Sequence, residues 1–282
     1  MLGPAVPRII MLRLATLNLA FVDHNAGPEA NPARPLFPLW AERRERIGDI
    51  LTELAPDVVC LQEAITWQAS AMAPHWVQWL EERSGQRPLP TRFDQVADLA
   101  RRLPKGYRAI GRPLPVSVFR DEEMAGVGWG TVIFSRLSVR AHYRIVLPHD
   151  RGDLTRRVPL FVEVEADGGP LWVASVHCDP LTRHVDALCD AVAEHPGAVA
   201  LLGDFNLDDR HPLYPRLIAA GLSDCRTATT PQVRWRADAP AAAETAIDHC
   251  LMRHPTRSPI AFHHINDYPY SDIHWLQVVD LE

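Results

Sequence analysis

Strand-length apolar runs and amphipathic helical stretches interleave along the whole of this 282-residue chain, and that alternation restricts the fold more than any other feature. The spacing predicts a first strand over Leu12–Asn18, a Pro/Gly/Asn-rich loop through Pro38, and a helix over Leu39–Leu54 that Pro56 ends. A second strand, Asp57–Leu61, runs into Gln62-Glu63. Ile65–Arg83 and Phe93–Leu103 read as two further helices, parted by the breaker-rich Ser84–Pro90. Beyond residue 108 short strands follow, at 127–134, 139–146, 160–165 and 171–176, and then a helix over Thr182–Glu194. Val199-Ala200-Leu201-Leu202 is long enough for a buried strand, and Leu213–Ala220 is a short helix that Gly221 closes. Thr227–Glu244 reads as a Pro/Ala/Arg loop, with the last strands at 246–252 and 275–281. No fixed-period repeat or linker divides the sequence. The expectation is one α/β domain with mixed sheets over residues 11–282, behind a loose extension at 1–10.

The bulk numbers exclude more than they assign. A net charge of −6 supplies no global basic field for nucleic acid, so a nucleic-acid enzyme would need a local groove. Lys105 is the only lysine, which makes 28 of the 29 basic residues arginine. The five cysteines are odd in number, lack C-x-x-C spacing and sit partly in apolar runs. They read as reduced, buried thiols, and with no membrane-length apolar segment a cytoplasmic monomer is expected.

Chemistry collects where the strands stop. The run at Val199–Leu202 breaks at Gly203 and is followed within three residues by Asp204 and Asn206. These share a face if the chain stays extended. Asn18 ends the first strand, Glu63 the second, and His177 the strand at 171–176. Asp248 interrupts the strand at 246–252, and Ser271-Asp272-Ile273-His274 precedes the last one. Each has a bland reading: a polar turn for Gly-Asp-Phe-Asn, a strand-end cap for Asn18 or Glu63, a core or loop histidine for His177, a surface turn for Asp248-His249. The joint pattern, with apolar strands repeatedly delivering acids, amides and imidazoles to their ends, is what points to a site.

In that order the pieces Thr16-Leu17-Asn18, Leu61-Gln62-Glu63, Gly128–Ser135, Val176-His177, Gly203-Asp204-Phe205-Asn206, Ala246-Ile247-Asp248-His249 and Ser271-Asp272-Ile273-His274 resemble the endonuclease/exonuclease/phosphatase superfamily of metal-dependent phosphohydrolases. The resemblance implies a four-layer α/β/β/α sandwich of two mixed sheets with the site at one end. It implies Mg²⁺, with Mn²⁺ as an alternative, held by Asn18, Glu63 and Asp272. It also implies a catalytic set of His177, Asp204, Asn206, Asp248 and His274. Asp204 would position or deprotonate the attacking water, Asn206 would hold that assembly or a phosphate oxygen, and His177 would donate to a non-bridging oxygen. Asp248 would fix the ring of His274. The substrate would be a phosphate ester, with nucleic acid among the candidates.

One departure stands out: Ile273 separates Asp272 from His274, which the family carries side by side. In a strand that extra residue has to be absorbed by a bulge or an altered loop. A non-catalytic binding module of the same fold draws its only sequence support from this insertion. His249, His263 and His264 read as loop histidines. The segment Ile65–Pro115, with Trp67, Trp76, Trp79 and the basic cluster Arg101–Arg108, reads as outer helices packed on the sheet or else as a substrate-facing wall. Arg156, Arg157, Arg183, Arg234 and Arg236 flank the motifs and are candidates for phosphate contacts.

Overall fold

The computed structural model describes residues 11–19, 36–84, 87–118, 122–150, 156–229, 232–235, 247–254, 257–266 and 274–282. The extension expected at 1–10 and most of the loop expected at 227–244 lie outside them. Among the described residues the strands are β1 (Leu12–Asn18), β2 (Val58–Gln68), β3 (Arg92–Asp94), β4 (Arg108–Ile110), β5 (Leu114–Val118), β6 (Glu122–Ser135), β7 (Val139–Arg144), β8 (Leu160–Ala166), β9 (Gly169–His177), β10 (Ala198–Asp204), β11 (Ser223–Asp224), β12 (Gln232–Trp235), β13 (Asp248–Arg253), β14 (Pro259–Asn266) and β15 (Leu276–Leu281). The helices are α1 (Leu36–Leu54), α2 (Pro74–Ser84), α3 (Gln95–Arg102), α4 (Thr182–Ala193), α5 (Tyr214–Ala219) and α6 (Cys225–Ala228).

Two mixed sheets form. One has the order β12-β14-β15-β1-β2-β6-β4, with β3 on β2 and β5 on β6; the other has the order β11-β13-β10-β9-β8-β7. Alternation along each strand explains the layers. In β1, Leu12 and Leu14 face the second sheet and meet Leu171, Val173, Ala200 and Leu202, while Ala15 and Leu17 turn to the other side. There they pack with Ile47, Ile50 and Leu51 of α1 and Leu80 of α2. On the far side of the second sheet Val199, Leu201 and Ala174 pack with Val185, Leu188 and Val192 of α4 and Leu217 of α5. The result is the expected α/β/β/α sandwich, with one apolar core between the sheets and one under each helical layer. All five cysteines are free, as expected. No helix among the described residues is long and apolar enough to cross a membrane.

Three expectations need correction. Within the loop expected at 227–244, Gln232–Trp235 is a strand, β12, which pairs parallel with β14. Ile65–Gln68 is strand rather than the start of a helix: β2 continues past Glu63, and Ile65 and Trp67 pair with Trp129 and Val127 of β6. Trp67 is buried and stacked on Phe93 at 4.2 Å, so burial of a β-branched and aromatic run wins over its helix-compatible spacing. The helix begins only at Pro74. Likewise His249, His263 and His264 are not in loops. His249 lies in β13, buried, and the other two lie in β14, which pairs with β15. The basic cluster is solvated and ion-paired, with Arg101 on Asp98 and Arg102 on Glu45 and Asp49, both at 2.8 Å.

Candidate active site

The inter-sheet face changes character along its length in every central strand. β1 places Leu12, Leu14, Thr16 and Asn18 on that face; β9 places Leu171, Val173, Ser175 and His177; β10 places Ala198, Ala200, Leu202 and Asp204. Each strand thus reads apolar, apolar, polar or apolar, and then a chemically active side chain. Register puts the last members together, because Asp204 pairs with His177 on one side and Asp248 on the other. The polar layer just beneath is closed: Gln62 Nε2 donates to Thr16 Oγ1 (3.1 Å) and Ser175 Oγ (2.9 Å), and Ser175 Oγ donates to the Leu61 carbonyl at 2.9 Å. Satisfied side chains seal the apolar core from the charged end.

Glu63 reaches the site through a bulge. Leu61 pairs with Val132 and Ala64 with Gly130, so Gln62 and Glu63 together oppose Thr131 alone. Glu63 takes the left-handed conformation, φ 55°, which releases it from strict alternation. Gly203 has a different reason to be glycine. At its φ of 145° a Cβ would stand 2.0 Å from the Val176 carbonyl oxygen and 2.9 Å from Gln62 Nε2. The chain then leaves the strand at once. Asn206 has φ 52°, its N–H donates to Asp204 Oδ1 (2.8 Å), and its Nδ2 donates to the Cys178 carbonyl (2.9 Å). Asp204 and Asn206 therefore do not share a strand face as the extended reading expected. Asn206 braces the turn while Asp204 points into the cluster.

Asp204 Oδ2 is the meeting point. It lies 2.9 Å from Asn18 Nδ2, 3.5 Å from His177 Nε2 and 3.7 Å from His274 Nε2. Asn18 Nδ2 is also 3.4 Å from Glu63 Oε1, and His177 Nε2 is 4.0 Å from the same oxygen. His274 Nδ1 faces Asp248 at 3.1 and 3.3 Å. Thus Asn18, Glu63, His177, Asp204, Asp248 and His274 come together, whereas Asp272 and Ile273 lie outside the described residues.

Glu63, Asp204 and Asp248 are only 4%, 1% and 5% exposed, so three carboxylates share a small desolvated volume. Burial first, and the charge of Asp248 next, push the Asp204 carboxyl up to about 7, with Glu63 adding. Burial would lower the His274 pKa, but the charge and hydrogen bonds of Asp248 outweigh it and raise it to about 9. Excess negative charge on hard oxygen donors is what a divalent cation such as Mg²⁺ requires. Donor atoms of Glu63, His177 and Asp204 lie within 4.8 Å of one another, as do those of Asp204, Asp248 and His274. The residues present fit such an ion.

Sequence reasoning named Arg157 without placing it. Its Nη1 lies 2.8 Å from His177 Nε2, and its guanidinium sits 5.3 Å from the ring centre of Trp129. Arg183 turns instead to the Pro148 carbonyl and to Asp150. Nothing is described of the side chains of Arg234 and Arg236. The polar layer of Thr16, Gln62 and Ser175 was missed, although part of its signal stands in the sequence: a small polar residue two before Asn18 and two before His177.

Two facing mixed sheets between helices, with an acid-, amide- and imidazole-lined site at one end, define a phosphohydrolase-type sandwich. A profile of the Endonuclease/Exonuclease/phosphatase family matches residues 15–272, and the chain belongs to that family of phosphate-ester hydrolases. No curated protein sequence matches it. Among solved structures it resembles an endonuclease/exonuclease/phosphatase from Bacteroides vulgatus, with 18% identity over 97% of this chain and 99% of that one and a TM-score of 0.66. It also resembles a mannosyl-6-phosphatase from Bacteroides thetaiotaomicron, with 18% identity over 96% and 99% of the two chains and a TM-score of 0.66. A third is D. rerio TDP2 complexed with a single-strand DNA product, with 17% identity, 96% and 99% coverage and a TM-score of 0.55.

Proposed function

We propose that the protein is a divalent-metal-dependent phosphodiesterase that cleaves its ester by in-line attack of an activated water, using Mg²⁺ with Mn²⁺ as a substitute. The observation that carries this reading is the convergence of Asn18, His177 and His274 on one oxygen of a buried Asp204, with Glu63 and Asp248 beside them. Asn18 and Glu63, with Asp272, are assigned to hold the ion. When bound, the ion would neutralise phosphate charge and stabilise the leaving oxygen.

The chain's own residues divide the remaining work. Asp204, buried at the centre of the cluster, is the group assigned to take a proton from water. Its other oxygen is fixed by the Asn206 N–H, which limits the directions in which it can accept that proton. His274, raised to about 9, carries a positive charge near the developing phosphate charge, and Asp248 holds its ring in place. His177 stands at the non-bridging oxygens. The contact of His274 with Asp248 despite Ile273 supports the catalytic reading over a binding module of the same fold.

A compact diester suits the surface better than a long polynucleotide. Arg101, Arg102, Arg136, Arg140 and Arg216 pair with Asp98, Glu45, Asp57, Glu165 and Asp186, which ties these cations to acids rather than leaving them for a phosphate backbone. The mannosyl-6-phosphatase supports a second reading, a phosphomonoester of a small molecule, and the DNA-bound TDP2 keeps a nuclease in the comparison. The test is EDTA-sensitive turnover of bis(p-nitrophenyl) phosphate, a sugar phosphate and single-stranded DNA across a salt series. Diester cleavage with shallow salt dependence is expected. Preference for DNA with a steep salt slope would favour the nuclease. Absence of EDTA-sensitive activity on all three would overturn the phosphohydrolase.

A further inference from the structure

We infer that Arg157 is a phosphate-binding residue of this site, held in place by Asp179 and Trp129; the inference rests on the phosphohydrolase reading above. A guanidinium carries five N–H donors in a planar fork. Asp179 Oδ1 takes the side of that fork, accepting from Nε at 3.0 Å and Nη2 at 2.6 Å. The end formed by Nη1 and Nη2 is left facing His177, which meets Nη1 at 2.8 Å through Nε2 and at 3.2 Å through Nδ1. The Trp129 ring lies against both, 5.3 Å from the Arg157 guanidinium carbon and 5.3 Å from the His177 ring centre. The side chain is 14% exposed, so the cation is aimed rather than free to sweep the surface.

A brace between the approach to β8 and the end of β9 would need only the Asp179 side of the fork. The second end instead meets a residue of the cluster, His177, one imidazole away from Asp204 and Glu63. It gives the site a positive flank beside its carboxylates, which is the polarity that an anionic phosphate next to a dication needs. The hydrogen-bond inventory points the same way. Arginine can only donate, so the ring nitrogen it meets must accept. Nη1 lies within reach of both ring nitrogens, and whichever of them accepts, the guanidinium still has an N–H to offer beside it. Arg157 thus supplies the donors to a non-bridging oxygen, and His177 orients them.

The experiment measures binding of inorganic phosphate by calorimetry in the presence of Mg²⁺, alongside turnover of bis(p-nitrophenyl) phosphate, for wild type, Arg157→Ala, Arg157→Lys and Asp179→Asn. Arg157→Ala is expected to weaken phosphate binding by about tenfold or more. It should lower kcat/KM roughly 10²–10³-fold, the loss seen when one oxyanion donor is removed. Its Mg²⁺ affinity should be unchanged, and added guanidinium ion should restore part of its turnover but none in wild type. Arg157→Lys should recover little, because an ammonium lacks the fork. Asp179→Asn, which loosens the guanidinium, should raise KM more than it lowers kcat. Wild type that binds no phosphate would overturn the inference. So would Arg157→Ala protein that binds and turns over within about threefold of wild type, or that loses Mg²⁺ binding and thermal stability together with activity. If wild type hydrolyses no ester yet binds phosphate through Arg157, the inference stands and the hydrolase reading falls.

Discussion

Asp248→Asn removes one negative charge beside His274 and changes almost nothing in shape, so its effect follows from electrostatics. His274 Nδ1 sits 3.1 and 3.3 Å from the two Asp248 oxygens, in a pocket where both side chains are more than nine-tenths buried. Burial lowers the imidazole pKa from 6.5, and the Asp248 charge and hydrogen bonds, helped by Asp204 and Glu63, carry it up to about 9. That rise corresponds to on the order of 3 kcal/mol in favour of the imidazolium. With asparagine in place, desolvation regains the upper hand and His274 is expected to titrate at or below 6.5. The assay is an NMR titration of the imidazole carbons in metal-free wild type and variant, assigned with His274→Gln. Denaturant unfolding across pH gives a second reading of the same quantity. A histidine whose folded pKa is raised contributes stability that is fully present below 6.5 and lost as pH climbs through 9. The stability gap between wild type and Asp248→Asn should therefore be widest below pH 6.5 and close towards alkaline pH. A variant His274 that still titrates above about 8, or a gap that widens with pH, would refute the reasoning.

Three further outcomes follow from the same geometry. Asp204→Asn should abolish turnover yet raise the stability of the metal-free protein at pH 8, by on the order of 4 kcal/mol in urea unfolding. A carboxyl raised from 3.8 to about 7 contributes stability below 3.8 and loses it as pH rises through 7, so the gain should vanish in acid; a less stable variant at pH 8 would contradict this. Gly203→Ala drives a Cβ to 2.0 Å from the Val176 carbonyl and should cost roughly 3 kcal/mol or more; an unchanged denaturation midpoint would show that the β9–β10 pair yields there. Mg²⁺ should raise the melting temperature more at pH 8 than at pH 6, because a proton on Asp204 removes negative charge beside the ion, and EDTA should reverse the gain. Glu63→Gln should blunt the shift at both pH values, and no shift in wild type at millimolar Mg²⁺ would count against the metal assignment.

The order of the elements was legible because buried strands and amphipathic helices differ in period, and β1 and β9 lie close to where the spacing put them. The identities of the clustered residues were legible for a related reason: each lies at one end of an apolar run. Their directions were not. Strict alternation puts Gln62 and Glu63 on opposite faces, and only the bulge against Thr131 frees Glu63 to join Asn18. Nor does anything local announce that Asn206 turns left-handed, since that follows from the contacts of its N–H with Asp204 and its Nδ2 with Cys178. β14 escaped notice because Pro259, His263 and His264 blur its pattern; it is a strand because β15 offers it a partner. Ile65–Gln68 misled in the opposite sense, since four residues of apolar and aromatic character fit a helix as well as a strand until β6 claims them.

The same dependence on partners explains why Ile273 does not displace His274. The place of His274 is counted from its C-terminal side. β15 pairs antiparallel with β1, Leu281 against Leu12, Val279 against Leu14 and Gln277 against Thr16, and each pair is buried. Gln277 is pinned again by its Nε2 donating to the Asp248 backbone carbonyl at 2.6 Å. Two residues further on, at Trp275, the chain reaches the level of Asn18, and His274 is then delivered to the end of the sandwich where Asp248 begins β13. An extra residue on the N-terminal side of His274 lies outside this anchored count, which fixes the place of the histidine. The spacing between His274 and Gln277 is therefore the one that the place of His274 obeys.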